Sequence, residues 1–489
     1  MNNMFKNFKF YLLIISILFW FFRTNSLGFD NTNNDSIRWF IRSEGFLQAI
    51  KDGNFSETSQ KYHPGVTLML INSFNRQIFY TYQYTFSNSK LDLMSSSNFG
   101  YTNLFSKLGL LIVLFMIILV QVSIISKLWN KNTALLYFFI LSIEPYFIGI
   151  NRWFHLTSLE VIFSFTSVLL LLLWLKNRNK HAFIFSAIFI ALGVLTKVTT
   201  IVLGVVLFVI LLKAYLQEKK LSIFIYYFLI YLGTIFILFP ALWVDLQRVS
   251  NYIFDSIFNA VAENVRVTEL SGVLLYSYYL IILFLKLSPV TIILFLFAVF
   301  NYKKWFQSFE NKILALVMLV YFISLSASEQ KIDRYSLVFF QPIFLISAFY
   351  LSNLTLNIKR TYIISALSFI VLIYYIYSPQ YSAYFNPVLG GTKTALNLGI
   401  YQDVGHYYFS AAEYLNQNFP NSIVFVPENH DSFSFFYKGK TLSVDNKKKE
   451  FVVSSLERDR TEFDNHGCPE KIADFGPFDT KVVAIFKCN

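Results

Sequence analysis

The feature that most limits this chain is a succession of apolar runs, each near the length needed to cross a hydrocarbon layer. They lie near residues 8–23, 104–126, 133–150, 157–175, 181–196, 198–216, 222–244, 273–300, 312–327, 337–354 and 361–378. By the twenty-residue rule this makes about eleven spans. The opening MNNMFKNFKFYLLIISILFWFF begins basic and turns apolar like a secretory signal. Bulky residues stand where a small-residue cleavage site would be, so it reads as a retained first helix. Ser288 and Pro289 fall inside one run, which predicts a kink or two half-helices there.

The loops between the runs set the topology. With Lys6 and Lys9 in the cytoplasm, the alternate short loops KLWNKN, KNRNKH, KAYLQEKK, NYKKWFQSFENK and NIKR all fall on the same side, and every one is basic. The net charge of +12 is therefore mostly topological and does not point to nucleic acid. The other side receives a long loop, 24–103, and everything after residue 378. The expected fold is an all-α polytopic body over 1–378, with a small α/β domain over 379–489 outside the cytoplasm. That tail alternates helix-like SAAEYLNQNF with strand-like SIVFV, EFVVSS and TKVVAIF. Both cysteines, Cys468 and Cys488, fall within it, in a compartment that permits a disulfide. A multi-pass protein of the inner (plasma) membrane is implied.

The long loop carries specific polar chemistry. RWFIRSEGFLQAI spaces Trp39, Phe40, Phe46, Leu47 and Ile50 as an amphipathic helix lying on the membrane surface, ended by Gly53. In KYHPGVTLML, Pro64 biases His63 away from helix and Gly65 opens a second interfacial helix, so the pair makes a turn that holds the histidine at the water boundary. Ionisable residues crowd the ends of spans on this side: Asp35, Arg38, Arg42, Glu44, His63, Glu144, Arg152, His155, Lys197, Asp245, Glu329 and Arg334. Charges at a hydrocarbon boundary are costly unless solvated, paired or used. Alternation of side allows Arg152, His155, Lys197 and Arg334 to meet in one cavity. Cations there could stabilise a departing phosphate, and a carboxylate could take the proton of an attacking hydroxyl. No zinc-like Cys/His spacing occurs, so no metal site is assigned. Asp35, Glu144 and Glu329 leave a divalent ion open.

These motifs resemble a known family. Asp35 followed by RW, RSEGF, AI-x-x-G and HPGVT is similar to the first loop of bacterial relatives of the protein mannosyltransferases, glycosyltransferase family thirty-nine. EPYFIGINRWFH (144–155), LTK (195–197), FPALWVD (239–245), RY (334–335) and YFNPVLGG (384–391) follow in matching order. The resemblance implies a GT-C membrane glycosyltransferase with a polyprenyl-phosphate sugar donor and an unknown protein, lipid or glycan acceptor. It implies Asp35 as general base, Arg152, Lys197 and Arg334 as donor-phosphate ligands, and Arg42, Glu44, His63 and His155 as residues shaping the cavity or the acceptor site. Ser36 and Thr157 stand where relatives often carry acids, which leaves Asp30 and Glu44 as alternative bases. A transporter or flippase of lipid-linked glycans, or an inactive binding protein, are the competing readings. Discontinuous helices with midplane charges would favour transport.

Overall fold

The computed structural model describes residues 7–61, 63–87, 94–96, 98–262, 268, 270–328, 330–353, 372, 374, 376–456 and 462–488. Helices occupy ten of the eleven expected apolar ranges. The eleventh, 361–378, lies largely outside the described residues, as does Glu329. Among the described residues, five helical stretches are long and apolar enough to cross a membrane by length and composition, or six if a bent pair counts as one. The chain is a multi-pass membrane protein.

In chain order the first helices are α1 (Phe8–Thr24), α2 (Asn34–Lys51), α3 (Val66–Ser87), α4 (Phe99–Leu128), α5 (Lys131–Ile143), α6 (Pro145–Asn151), α7 (Leu156–Asn177) and α8 (Lys180–Thr196). The centre is α7. It is apolar on every side, and the window that would cross the membrane is entirely buried, as such a helix requires. It packs against α8 and α4.

Two of the breaks inside expected spans leave loose ends that explain several buried charges. The run 133–150, expected to be continuous, bends by 72° between α5 and α6 at Glu144–Pro145. Pro145 removes an N–H, and the carbonyls of the preceding turn lose their helical partners. Arg23 of α1 reaches them, donating to Leu141 O at 3.1 Å and Ser142 O at 3.2 Å, and holds Asn151 Oδ1 at 3.1 Å. Glu144 then serves the second break. As expected, Ser288–Pro289 divides its run into helices Tyr278–Lys286 and Pro289–Phe300. The Glu144 carboxylate accepts from the Ser288 N–H at 2.5 Å, the Ser288 hydroxyl at 3.0 Å and the Thr291 hydroxyl at 2.6 Å. On the other side of the gap, the Asn386 amide donates to Phe284 O and Leu287 O. Irregular backbone at such depth survives only where protein groups satisfy it.

Helix α2 turns part of its apolar face into the protein. Trp39, Phe40 and Phe46 of α2 are buried in protein, and Phe40 stacks on Phe154 with ring centroids 4.6 Å apart. The loop following α6 offers Phe40 an aromatic partner, whereas Leu47 is half-buried and Ile50 of the same expected face stays exposed. Helix α2 ends before Gly53, which adopts φ +68°.

The tail forms the expected α/β unit. Strands β1 (Ile423–Phe425), β2 (Lys440–Leu442), β3 (Phe451–Ser455), β4 (Glu470–Phe475) and β5 (Val483–Lys487) lie in the order β2-β1-β3-β5-β4. β1 pairs in parallel with β2 and β3, whereas β5 runs antiparallel to β3 and β4. Helix Tyr408–Asn418 packs across β4 and β5. Cys468 and Cys488 are disulfide-bonded and join the start of β4 to the end of β5. Phe435 and Phe436 pack on Phe99 of α4, which docks the tail on the body.

Glu144→Ala would strand three buried donors at the second break, so we expect a loss of about 3 kcal/mol. Thermal unfolding in detergent measures it. A melting temperature equal to that of the native chain would show that the break is held some other way.

Candidate active site

The site is assembled from five separated segments. Asp35 is in the first turn of α2, where the Asn33 side chain accepts from the Ser36 N–H at 2.8 Å and fixes the start of the helix. Ser36, one of the two departures from the family pattern, is buried in that turn. Arg334 comes from a 3-10 helix, Asp333–Phe339, and donates to Asp35 Oδ2 at 2.8 Å. His155 is the N-cap of α7, with Nε2 3.8 Å from the same oxygen. Lys197 ends α8 and rests over the Tyr335 ring at 3.9 Å.

Thr157, the second departure, orients His155. Its backbone N–H lies 3.2 Å from His155 Nδ1 and its hydroxyl 3.0 Å. An amide can only donate, so Nδ1 is the acceptor nitrogen and the neutral ring carries its proton on Nε2, toward Asp35. Burial, followed by Arg334, lowers the His155 pKa against the opposing pull of Asp35. His63 is held well below its ordinary value by burial and then by Lys197, His155, Arg42 and Arg334. Both imidazoles are therefore neutral at neutral pH. For Asp35, burial works to raise the carboxyl, but Arg334, then His155, Arg38 and Arg42 outweigh it, and its pKa is lowered.

The His-Pro-Gly turn has a steric basis. Gly65 has φ +61°, and a Cβ there would come 2.2 Å from the Trp39 ring. Its N–H donates to Thr196 O at 3.2 Å, beside Lys197, and Thr67 shares a hydroxyl contact with Thr196 at 2.6 Å. Only glycine permits that approach, and it is what brings His63 into the field of Lys197. Arg42 packs its guanidinium over Trp39 at 4.6 Å and acts on Asp35 and both histidines.

Asp35, Arg42, His63, His155, Lys197 and Arg334 thus come together. Other expected residues do not join them. Arg152 binds Asp30 Oδ2 at 2.7 Å and the carbonyls of Phe22 and Asn25, and Lys107 binds Asp30 Oδ1 at 2.8 Å. A buried ion-pair network at the base of the first loop has taken Arg152, and with it Asp30, the alternative base. Glu44 pairs with Arg76. Asp245 accepts from Ser56 at 2.6 Å and lies at the surface. Glu144 holds the helix break. Among the described residues no three His, Cys, Asp or Glu side chains gather closely enough to share a metal ion.

Sequence reasoning missed Glu160, whose carboxylate lies 3.1 Å from Lys197 Nζ. The signal was present, since Glu160 is the one acid inside the run 157–175. It also missed Lys286, paired with Asp333 at 3.2 Å directly before Arg334.

The fold has known relatives. The structure of ArnT from Cupriavidus metallidurans bound to undecaprenyl phosphate superposes with a TM-score of 0.55 at 11% identity, covering 99% of this chain and 98% of that one. This is the GT-C glycosyltransferase fold. The apo form of the same ArnT matches with a TM-score of 0.51 at 11% identity, over 90% of this chain and 86% of that one. Residues 100–243 match the family model described as dolichyl-phosphate-mannose-protein mannosyltransferase. The chain thus resembles that family, and the GT-C fold extends the likeness beyond the matched segment. No curated protein matches the sequence.

The lowered Asp35 pKa has a fixed sign. The ionised carboxylate stabilises the fold above its unfolded pKa, and that contribution is lost as pH falls through the lower folded value. The stability difference between the native chain and Asp35→Asn should be constant near neutrality and shrink below about pH 4. Thermal melts across pH read it, and a difference that grew on acidification would contradict the Asp35–Arg334 pairing.

Proposed function

We propose that the chain is an integral-membrane glycosyltransferase that moves a sugar from a polyprenyl-phosphate carrier to an acceptor hydroxyl on the extracytoplasmic face, with inversion. The observation that carries this reading is the convergence of Arg334 and Lys197 on the Asp35–His155 pair. Arg334 keeps a buried Nε–H without a hydrogen-bond partner among the described residues. A guanidinium with a spare donor, next to an ammonium, is suited to phosphate. ArnT, which shares the fold, is described with undecaprenyl phosphate bound, and this supports a polyprenyl-phosphate donor here.

In the proposed reaction the acceptor oxygen attacks the anomeric carbon as the carbon–oxygen bond to phosphate breaks. Both electrons of that bond go to the phosphate oxygen, where Arg334 and Lys197 meet the new charge. The hydroxyl proton passes to Asp35, and the neutral His155 Nε2–H steadies the carboxylate. Attack opposite the leaving phosphate inverts the anomeric carbon. Arg42 and His63 bound the cavity between donor and acceptor. The disulfide-bonded tail and the basic loops of the opposite side support an extracytoplasmic site in the plasma membrane.

The transport reading loses its main support. Its hallmark is a helix break whose free ends bind cargo. Here the ends at Ser288 are taken up by Glu144 and Asn386.

The test is turnover of a panel of labelled polyprenyl-phosphate sugars by purified chain in lipid nanodiscs. The native chain should transfer or hydrolyse one of them. Asp35→Asn should lose about a thousand-fold in rate while still binding polyprenyl phosphate. Arg334→Gln should raise donor KM as well as lower kcat. Equal turnover by the native chain and Asp35→Asn would remove Asp35 as the base. Because both histidines are neutral, the native rate should also be flat from about pH 6 to 8. A limb near the ordinary imidazole value would contradict that.

A further inference from the structure

Glu160 has no part in the chemistry above, yet it is the closest charged neighbour of a phosphate-facing cation. Its Oε2 is 3.1 Å from Lys197 Nζ, the Thr199 hydroxyl donates to Oε1, and both charged side chains are buried. The Lys197 ammonium is thereby held between Glu160 and the face of Tyr335, a ring that the Arg334 guanidinium also approaches at 6.0 Å. A carboxylate in an otherwise apolar helix is costly and opposes anion binding, so a site built only to grip phosphate would be better without it.

The charges of the two ligands explain the acid. A polyprenyl-phosphate sugar is a phosphodiester with one negative charge. The carrier left after transfer is a monoester that approaches two. A purely cationic site would hold the spent carrier more firmly than the donor and would stall after each turnover. We propose that Glu160 is a positioning residue that acts as a built-in competing anion for Lys197. It keeps the ammonium in place between turnovers, reclaims it as the carrier leaves, and so flattens the preference of the site for the dianionic product. This rests on the glycosyl-transfer reading. Arg334 has the same arrangement with Asp35, so each phosphate-facing cation carries an internal carboxylate.

The test measures donor KM, kcat and the inhibition constant of polyprenyl phosphate on the full chain in nanodiscs. Glu160→Gln keeps an acceptor for Thr199 and removes only the charge. It should strengthen product inhibition about ten-fold, lower donor KM by less, and reduce kcat because release becomes slow. Glu160→Asp should return inhibition toward the native value. In a Lys197→Met background, Glu160→Gln should leave the inhibition constant unchanged. Weaker inhibition with a parallel rise in KM would overturn the proposal. The native chain supplies an arm that needs no variant: polyprenyl phosphate and its monoanionic methyl ester should inhibit within about three-fold of each other. A strong native preference for the dianion would also overturn it. If the native chain neither turns over nor binds polyprenyl phosphate, the enzyme reading itself fails. If it does both and Glu160→Gln behaves as native, only the role of Glu160 fails.

Discussion

A peptide group that loses its helix partner inside a hydrocarbon layer cannot turn to water, and this one constraint organises much of the protein. The two breaks, at Glu144–Pro145 and Ser288–Pro289, expose carbonyls and N–H groups that Arg23, Glu144 and Asn386 satisfy. Each clamp comes from a different part of the chain, so the breaks double as cross-links. The first turns the chain toward His155. The second carries Lys286, which pairs with Asp333 beside Arg334. The backbone repair and the siting of the cluster are therefore one piece of engineering.

Within that frame the charges divide into two kinds. Asp30, Lys107 and Arg152 form a closed set, each group answered by another with full burial. Such a set fixes the first loop and leaves nothing for a ligand. Around Asp35 the balance is open. Asp35 is partly exposed, and Arg334 keeps a buried Nε–H without a hydrogen-bond partner among the described residues. A guanidinium with a spare donor beside a partly exposed carboxylate can take an anion, which is the physical basis for reading the cluster as a phosphate site.

Much of the architecture was legible in the sequence because its signals are local. Run length located the helices of the body, alternating strands and SAAEYLNQNF located the tail, and Ser288–Pro289 located the second break. The amphipathic spacing of α2 was also legible, but its partner was not. Periodicity shows that Trp39 and Phe40 face something apolar, and it does not say whether that is lipid or Phe154. The bend at Glu144 escaped because Pro145 can begin a helix as readily as end one.

For the site, the sequence by itself determined which ionisable residues stand at span ends and that His63 sits on a tight turn. It fixed these because hydrocarbon excludes charge and because proline and glycine restrict the backbone wherever they occur. Only the tertiary structure decided which charges meet. Arg152 and His155 are three residues apart, yet one closes an ion pair with Asp30 while the other faces Asp35. Lys197 and Glu160 are far apart in sequence and in contact in space. Pairing depends on distance in a medium of low dielectric, where a few ångströms separate a structural salt bridge from a binding site, and sequence order does not encode that distance.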